Sequence, residues 1–330
     1  MKAATAHPPG GRVVEPHPLR GYLYIAAATF LWGVSATLGR AAFTGRLLPG
    51  GEAVAPVNAL ILSQTRTTFS FLLLLPVLGW RRGWSHLRLG RADAGRTLLI
   101  GITGIAAANF FYYLAIERTN VATAIVLQYT APIWVLVYLA VRGRERPTAP
   151  QIVAVALAMA GIALLMDVVG SAQLRLDRIG VAAALLSAFS FASYNISAHG
   201  VLVRYDRWTV LVYVTGGAAV FWMVINPPWK ILAANYSASQ WLFLLVFAVV
   251  SALAPFAFYA AGLQHLAPAR AMIASCTEPV FSIGIAAVAL GEFVRPVQAA
   301  GIGLVLGAIL VVELAGRRAP AAEAIVEPIE

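Results

Sequence analysis

The feature that most constrains this chain is a series of apolar runs that follow one another almost without interruption from Tyr22 to Leu314. A helix needs about 20 apolar residues to cross a hydrocarbon core roughly 30 Å thick. Sixty per cent of the residues are hydrophobic and 12% are charged, whereas about a quarter of the residues of a soluble domain are charged. Because hydrocarbon offers the backbone no hydrogen bonds, the sequence predicts an all-α polytopic membrane protein.

Short hydrophilic connections divide this apolar sequence into ten predicted helices. The predicted spans are residues 21–43, 57–79, 97–117, 119–141, 149–167, 179–200, 208–226, 238–262, 267–290 and 296–315. Sixteen of the 24 Lys and Arg residues fall on the side that holds the N-terminus, seven fall on the opposite side, and Arg66 lies within a helix. Because cytoplasmic loops carry an excess of Lys and Arg, both termini are predicted to be cytoplasmic.

The second half of the chain repeats the first. At an offset of 147 residues, Pro132 aligns with Pro279 and Glu145 with Glu292. A unit of five spans is odd, so its copy enters the membrane from the other side, and the ten helices are predicted to form two inverted five-helix repeats. Inverted repeats are common in secondary transporters, in which two similar halves expose a midplane site to each side in turn.

The repeat also sets the predicted segments of the chain. The first repeat is predicted at residues 21–168 and the second at residues 179–315. The remaining ends, residues 1–20 and 316–330, are predicted to be cytoplasmic tails.

Small residues in helices five and ten match at the same offset. Ala156 and Ala160 align with Gly303 and Gly307, and this small-xxx-small spacing predicts a close approach of each helix to a neighbour.

Two charged residues are predicted to lie at membrane depth. A charged side chain there costs about 2.5–3.5 kcal/mol on insertion scales, so Arg66 and Glu278 each require a partner or a cavity. Arg66 is either a structural partner or a contact for substrate or gate. Glu278 either holds a cationic group or carries a coupling proton.

Uncharged polar side chains gather on helices three and four. Asn109, Tyr112 and Tyr113 share one face of a helix because they are three and four residues apart. Helix four carries Gln128 and, four residues later, Pro132. Because proline has no backbone N–H, the Gln128 carbonyl loses its hydrogen bond within the helix.

Proline interrupts two further predicted helices. Pro279 follows Ser275 by four residues, and Pro255 follows Ser251 by four residues, so each serine carbonyl loses its hydrogen bond within the helix. Interrupted helices at corresponding positions of two halves are the best sequence indication of a transporter site, although the alternative is a kink that only serves packing.

Several classes of function lack a sequence signal. The chain has no Walker A loop, dinucleotide fingerprint, G-x-S-x-G elbow, HExxH motif or Cys/His cluster. We therefore expect no enzyme activity, no cofactor and no metal. The net charge of +10 lies in the membrane loops, where it meets the lipid bilayer, and predicts no nucleic-acid partner.

Several motifs together resemble the drug/metabolite transporter superfamily, in its EamA-type ten-helix branch. They are Phe30-Leu31-Trp32-Gly33, Arg66, the Tyr-Thr-Ala-Pro run at 129–132, the Thr-Glu-Pro-Val run at 277–280, and Gly291-Glu292 followed by Gln298 and Gly301. The resemblance covers residues 21–315. It departs at Arg144-Glu145, where the first repeat of the family often has Gly-Glu.

This resemblance implies an exporter in the bacterial inner membrane that acts on small metabolites, often amino acids, and binds them in a central cavity lined by both repeats. On that basis the candidate substrate-binding residues are Trp32, Asn109, Tyr113, Gln128, Asn195, Tyr259 and Glu278. Arg66 is the candidate gate or charge partner. The chain is expected to be a monomer or a homodimer.

Two alternatives stay open. One is an efflux carrier for small cationic drugs or metabolites, in which Glu278 is the cation site. The other is a membrane-embedded enzyme or lipid-handling scaffold, which would carry a cluster of catalytic groups near one membrane interface.

Overall fold

The computed structural model describes residues 17–44, 55–119, 121–142, 147–167, 177–290 and 295–318, and their regular structure is entirely helical. These residues form ten successive helices, α1 to α10, of which α4 and α9 are each in two parts. The helices are α1 Pro18–Thr44, α2 Ala59–Arg82, α3 Arg91–Arg118, α4 Val121–Gln128 with Ala131–Val141, α5 Ala149–Leu165, α6 Arg178–Leu202, α7 Arg207–Ile225, α8 Ala238–Leu263, α9 Pro268–Ser275 with Glu278–Leu290, and α10 Pro296–Arg318. Short helices lie in two of the connections, at Trp84–Leu87 and Pro228–Leu232.

Most of these helices have the length and apolarity of a membrane span. Seven described helices meet both conditions, namely α2, α3, α4, α6, α7, α8 and α10. The helix α5 is apolar but, with 17 residues, is shorter than these seven. The predicted all-α polytopic membrane fold is confirmed.

Aspartate side chains fix where two helices begin. The Asp177 carboxylate accepts a hydrogen bond from the Gly180 amide at 2.9 Å, and Asp206 accepts one from the Trp208 amide at 3.0 Å. These bonds satisfy amide groups that the first turn of a helix leaves without partners, so α6 and α7 begin at those residues.

The packing of the helices follows the sequence repeat. Helix α1 packs on α8, as α6 packs on α3, and α1 contacts α9, as α6 contacts α4. The pairs α2 with α7 and α5 with α10 relate equivalent helices directly. Exchanging helix n with helix n + 5 therefore preserves these contacts, and the two halves interlock around one centre.

Backbone irregularities also recur at the repeat offset. A π-helical turn occupies Gly101–Ala106 in α3 and another occupies Val249–Leu253 in α8. Both α4 and α9 are interrupted, at residues 129–130 and 276–277, which are 147 positions apart. The departures from regular helix are thus properties of the repeated unit.

The predicted close approach of a neighbouring helix at Ala156, Ala160, Gly303 and Gly307 is wrong. Gly303 and Gly307 have open space where a Cβ would lie, and Ala156 and Ala160 are exposed. The close crossing instead uses Gly161 and Gly301, since a Cβ on either would lie 2.8 Å from the carbonyl oxygen of the other. Small residues occur on both faces of these helices, so spacing alone did not distinguish them.

Ion pairs define the face of the bundle at which α1 begins, which we call the terminal face. Arg204 donates to Asp93 at 3.0 Å, which joins the end of α6 to the start of α3. Arg82 donates to Asp206 at 2.9 Å, which joins the end of α2 to the start of α7. His17 lies beside His265 just beyond the end of α8. These ends share a face, as alternating spans require.

The crossing of α5 and α10 generates a stability prediction. Gly301→Ala should lower the free energy of unfolding by about 1–3 kcal/mol, because the new methyl group overpacks the contact with Gly161. Gly303→Ala, on the open face of the same helix, should leave stability unchanged or slightly higher. Thermal unfolding of both purified variants in one detergent measures the difference, and equal midpoints would contradict the assigned crossing.

Candidate functional site: a cavity between the interrupted helices

A cavity of about 140 Å³ lies where the two halves meet. Residues of α1, α2, α3, α4, α6, α8 and α9 form its wall. Since one water molecule needs about 10–15 Å³ of such space, the cavity has room for roughly ten waters or for a metabolite of similar size.

Most of the sequence-predicted site residues lie in this wall. Those that do are Trp32, Arg66, Asn109, Tyr113, Gln128, Pro132 and Glu278. They come from five helices, so the fold brings together residues that are far apart in the chain.

The α3–α4 side of the wall is held by hydrogen bonds to α6. Gln128 donates to the Ser187 hydroxyl at 3.2 Å, and Ser187 donates to the Ala108 carbonyl at 2.8 Å. Asn109 donates to its own helix at the Ile105 carbonyl, 2.9 Å away. The carbonyl of the Gln128 side chain and that of Asn109 form no hydrogen bond with another described residue, so both are acceptors that a ligand can use.

The three predicted helix-breaking prolines occupy first turns. Pro132 is the second residue of the second part of α4, and Pro279 is the second residue of the second part of α9. Pro255 is the second residue of the regular helix that follows the π-helical turn of α8. At the α9 break, the Thr277 and Thr29 hydroxyls are 2.9 Å apart, which ties the interruption to α1. The breaks in α4 and α9 thus stand at the cavity rather than at a lipid-facing surface.

Among the described residues of the cavity wall, Arg66 is the one cation and Glu278 the one carboxylate. Tyr129 lies in the same wall. Arg66 and Glu278 do not form an ion pair with each other, unlike the three pairs of charged side chains seen elsewhere in the described part of the chain. The two charges therefore attract each other across the cavity without direct contact.

Aromatic side chains of α1, α6 and α8 close the cavity on one side. The Trp32 ring centroid lies 5.4 Å from that of Phe256, 5.4 Å from that of Tyr259 and 6.3 Å from that of Phe191. Tyr194 stacks on Phe191 at 6.1 Å. The indole of Trp32 is thus held by packing on three sides.

Asn195 and Tyr259 lie behind this aromatic layer, so the prediction that they line the cavity is not met. Both are fully buried, and the Asn195 amide donates to the Tyr259 hydroxyl at 2.6 Å. The hydrogen bond pairs the Asn195 amide nitrogen with the Tyr259 hydroxyl in the packed interior, whereas the buried Asn195 carbonyl oxygen has no hydrogen-bond partner among the described residues.

The cavity is displaced away from the terminal face. Arg66 lies one to two turns from the start of α2, and Tyr113 lies five residues before the end of α3, both at the opposite face. On the terminal side, His199 hydrogen-bonds the Leu263 carbonyl at 2.8 Å, beyond the layer of Asn195 and Tyr259. Packed side chains therefore separate the cavity from the terminal face.

Sequence reasoning missed the apolar part of the wall. Ile105, Phe191, Phe256 and Met272 line the cavity. In a chain this apolar, such residues carry no signal that separates a cavity wall from a lipid-facing surface. Their only sequence indication is the neighbouring breaks.

Comparison with known proteins identifies relatives along nearly the whole chain. The EamA-like transporter family matches residues 19–167 and again residues 178–314. The uncharacterized inner membrane transporter YicL of Salmonella typhimurium is 24% identical over 302 residues, which are 91% of this chain and 97% of the relative. The uncharacterized transporter YwfM of Bacillus subtilis is 24% identical over 316 residues, 92% of this chain and 96% of that one.

A protein of known crystal structure shares the fold. It superposes with a TM-score of 0.73 at 19% identity and covers 92% of this chain and 99% of its own. The arrangement of helices is thus one that a solved structure also has.

The hydrogen bond behind the aromatic layer generates a second prediction. Tyr259→Phe should lower the free energy of unfolding by about 1–3 kcal/mol, because it leaves the buried Asn195 amide with only the weak acceptor Met272 Sδ, 3.9 Å away. Tyr194→Phe is the matched control, since the hydroxyl of this equally buried neighbour takes part in no described hydrogen bond. Thermal unfolding in detergent compares the two, and an equal effect would show that the Asn195–Tyr259 bond does not stabilise the fold.

Proposed function

We propose a specific transport function for this chain, which belongs to the EamA-like transporter family of the drug/metabolite transporter superfamily and is therefore a membrane transporter. In this proposal it is a secondary transporter that exports amino acids or related small amphipathic metabolites. In this proposal it works by alternating access in the bacterial inner membrane, and no enzymatic step is involved.

The observation that carries the proposal is the position of the cavity between matching interruptions of two halves. Backbone irregularity at membrane depth is tolerated where it is buried in protein or lines a cavity, and the breaks in α4 and α9 meet this condition. A site at the interface of two similar halves can be exposed to either side when one half rocks against the other.

The lining supports an amphipathic substrate. Phe191, Phe256 and Met272 supply apolar surface, while Asn109 and Gln128 supply amide groups. Ligand sites generally combine mostly apolar walls with a few polar groups that fix orientation. An amino acid with an apolar side chain has this combination of surfaces.

Charge distribution predicts the side of the membrane on which the cavity lies. With the terminal face in the cytoplasm, as the excess of Lys and Arg there predicts, the cavity lies in the periplasmic half of the bundle. The packed layer on the cytoplasmic side would then have to open to load substrate. The sequence has no ATP-binding motif, so a substrate or ion gradient drives the cycle in this proposal.

One observation favours a second candidate function, the efflux of small cations. Glu278 places a carboxylate in the cavity wall, where it can hold a cationic group. If Glu278→Gln removed resistance to cationic drugs but spared amino-acid export, this second function would replace the first.

Untargeted metabolite profiling of cells and medium, with and without the protein, tests the proposal. We expect one or a few amino acids or related metabolites to accumulate in the medium only when the protein is present. If the purified protein in liposomes moved no metabolite under any gradient, transport would be refuted and a membrane-embedded enzyme or lipid-handling scaffold would become the better account.

Helix α3 generates the variant prediction. Asn109→Ala and Tyr113→Ala should each lower the transport rate about two- to tenfold, because each removes a polar contact of about 0.5–1.5 kcal/mol from the cavity wall. Thr103→Ala, on the exposed face of the same helix, is the control and should transport at the wild-type rate. Rates are compared at equal membrane abundance, and wild-type rates in both cavity variants would remove α3 from the site.

A further inference from the structure

Arg66 is a cation in the cavity wall that the described protein does not neutralise. Its guanidinium makes no hydrogen bond or ion pair with another described residue, although its Nε atom is buried. Two nearby hydroxyls bond to the backbone instead, since Ser70 donates to the Arg66 carbonyl at 2.6 Å and Thr67 to the Gln64 carbonyl at 3.2 Å. A guanidinium at membrane depth is stable only with water or an anionic partner, so Arg66 is available to an anionic ligand.

Glu278 is a carboxylate that the second half contributes to the same cavity wall. It lies in the first turn of the 13-residue second part of α9, where the amide groups of the helix end favour a negative charge. Tyr129 lies in the same wall, and none of the ion pairs of the described residues includes Glu278. The carboxylate has no described cation in direct contact, so it can accept one from a ligand.

The separation of these two charges has a chemical consequence. Paired directly, they would form a neutral structural ion pair and leave a ligand no charged contact. Held apart across a cavity, they present an anion-binding group on α2 and a cation-binding group on α9. A molecule that carries both charges on adjacent atoms satisfies both groups at once.

We infer that the cavity recognises a zwitterion, with Arg66 binding its carboxylate and Glu278, next to Tyr129, binding its ammonium group. The inference rests on the proposed transport function and names the chemical class of its substrate as apolar α-amino acids. The apolar wall of Phe191, Phe256 and Met272 receives the side chain. Because Arg66 and Glu278 belong to different halves, the bound zwitterion bridges them.

Three matched ligands test the inference on the wild-type protein. L-Phenylalanine carries both charges, phenethylamine lacks the carboxylate, and 3-phenylpropionate lacks the ammonium group. Binding to the purified protein in detergent at neutral pH is measured by calorimetry, and a second series uses L-leucine, 3-methylbutylamine and 4-methylpentanoate. We expect the zwitterion of at least one series to bind about tenfold to a hundredfold more tightly than either singly charged analogue, as expected for a charge-assisted hydrogen bond.

Two variants assign the charges. Arg66→Gln should weaken binding of the zwitterion and the acid and leave the amine unchanged. Glu278→Gln should weaken binding of the zwitterion and the amine and leave the acid unchanged. Arg118→Gln and Glu117→Gln, both at the exposed end of α3, are the matched controls and should bind all three ligands as the wild type does.

The outcomes separate this inference from the proposed function. An amine that binds the wild type as tightly as its zwitterion overturns the inference and favours the cationic carrier. If no member of either series binds while metabolite export is observed in cells, the inference fails and the transporter proposal stands. Absence of both binding and export overturns both. The wild-type series decides these cases even when a variant does not fold.

Discussion

Every backbone amide and carbonyl in hydrocarbon must be hydrogen-bonded within the protein, and the rest of this structure depends on that requirement. It restricts the described chain to helices and confines any break in a helix to a place shielded from lipid. The breaks of α4 and α9 meet this condition, because residues beside both of them line the cavity. The cavity lies where the interrupted helices of the two halves meet.

The interlocked packing gives this cavity its second property, a wall drawn from both halves. Helix α1 packs with α8 and α9, and α6 packs with α3 and α4. A movement of one half against the other therefore reshapes the wall on all sides. The terminal side is closed by packed aromatic rings and by the Asn195–Tyr259 hydrogen bond, so a change of access must separate these contacts.

The sequence could predict those features that cost free energy at membrane depth. Polar and charged residues at membrane depth need a reason, which is why Asn109, Gln128 and Glu278 stood out, and proline removes a definite hydrogen bond, which is why the breaks did. Contacts among apolar or small residues carry no comparable cost, so the sequence placed the close approach at Gly303 instead of at Gly301. Phe256 gave no signal for the same reason.

Access from two sides is the central claim, and cysteine labelling in sealed vesicles tests it most directly. Asn109→Cys in a Cys276→Ala background places one thiol in the cavity wall. A membrane-impermeant maleimide should modify it in both right-side-out and inside-out vesicles, because the cavity opens to each side in turn. Labelling from one side alone, under substrate gradients of either direction, would contradict alternating access.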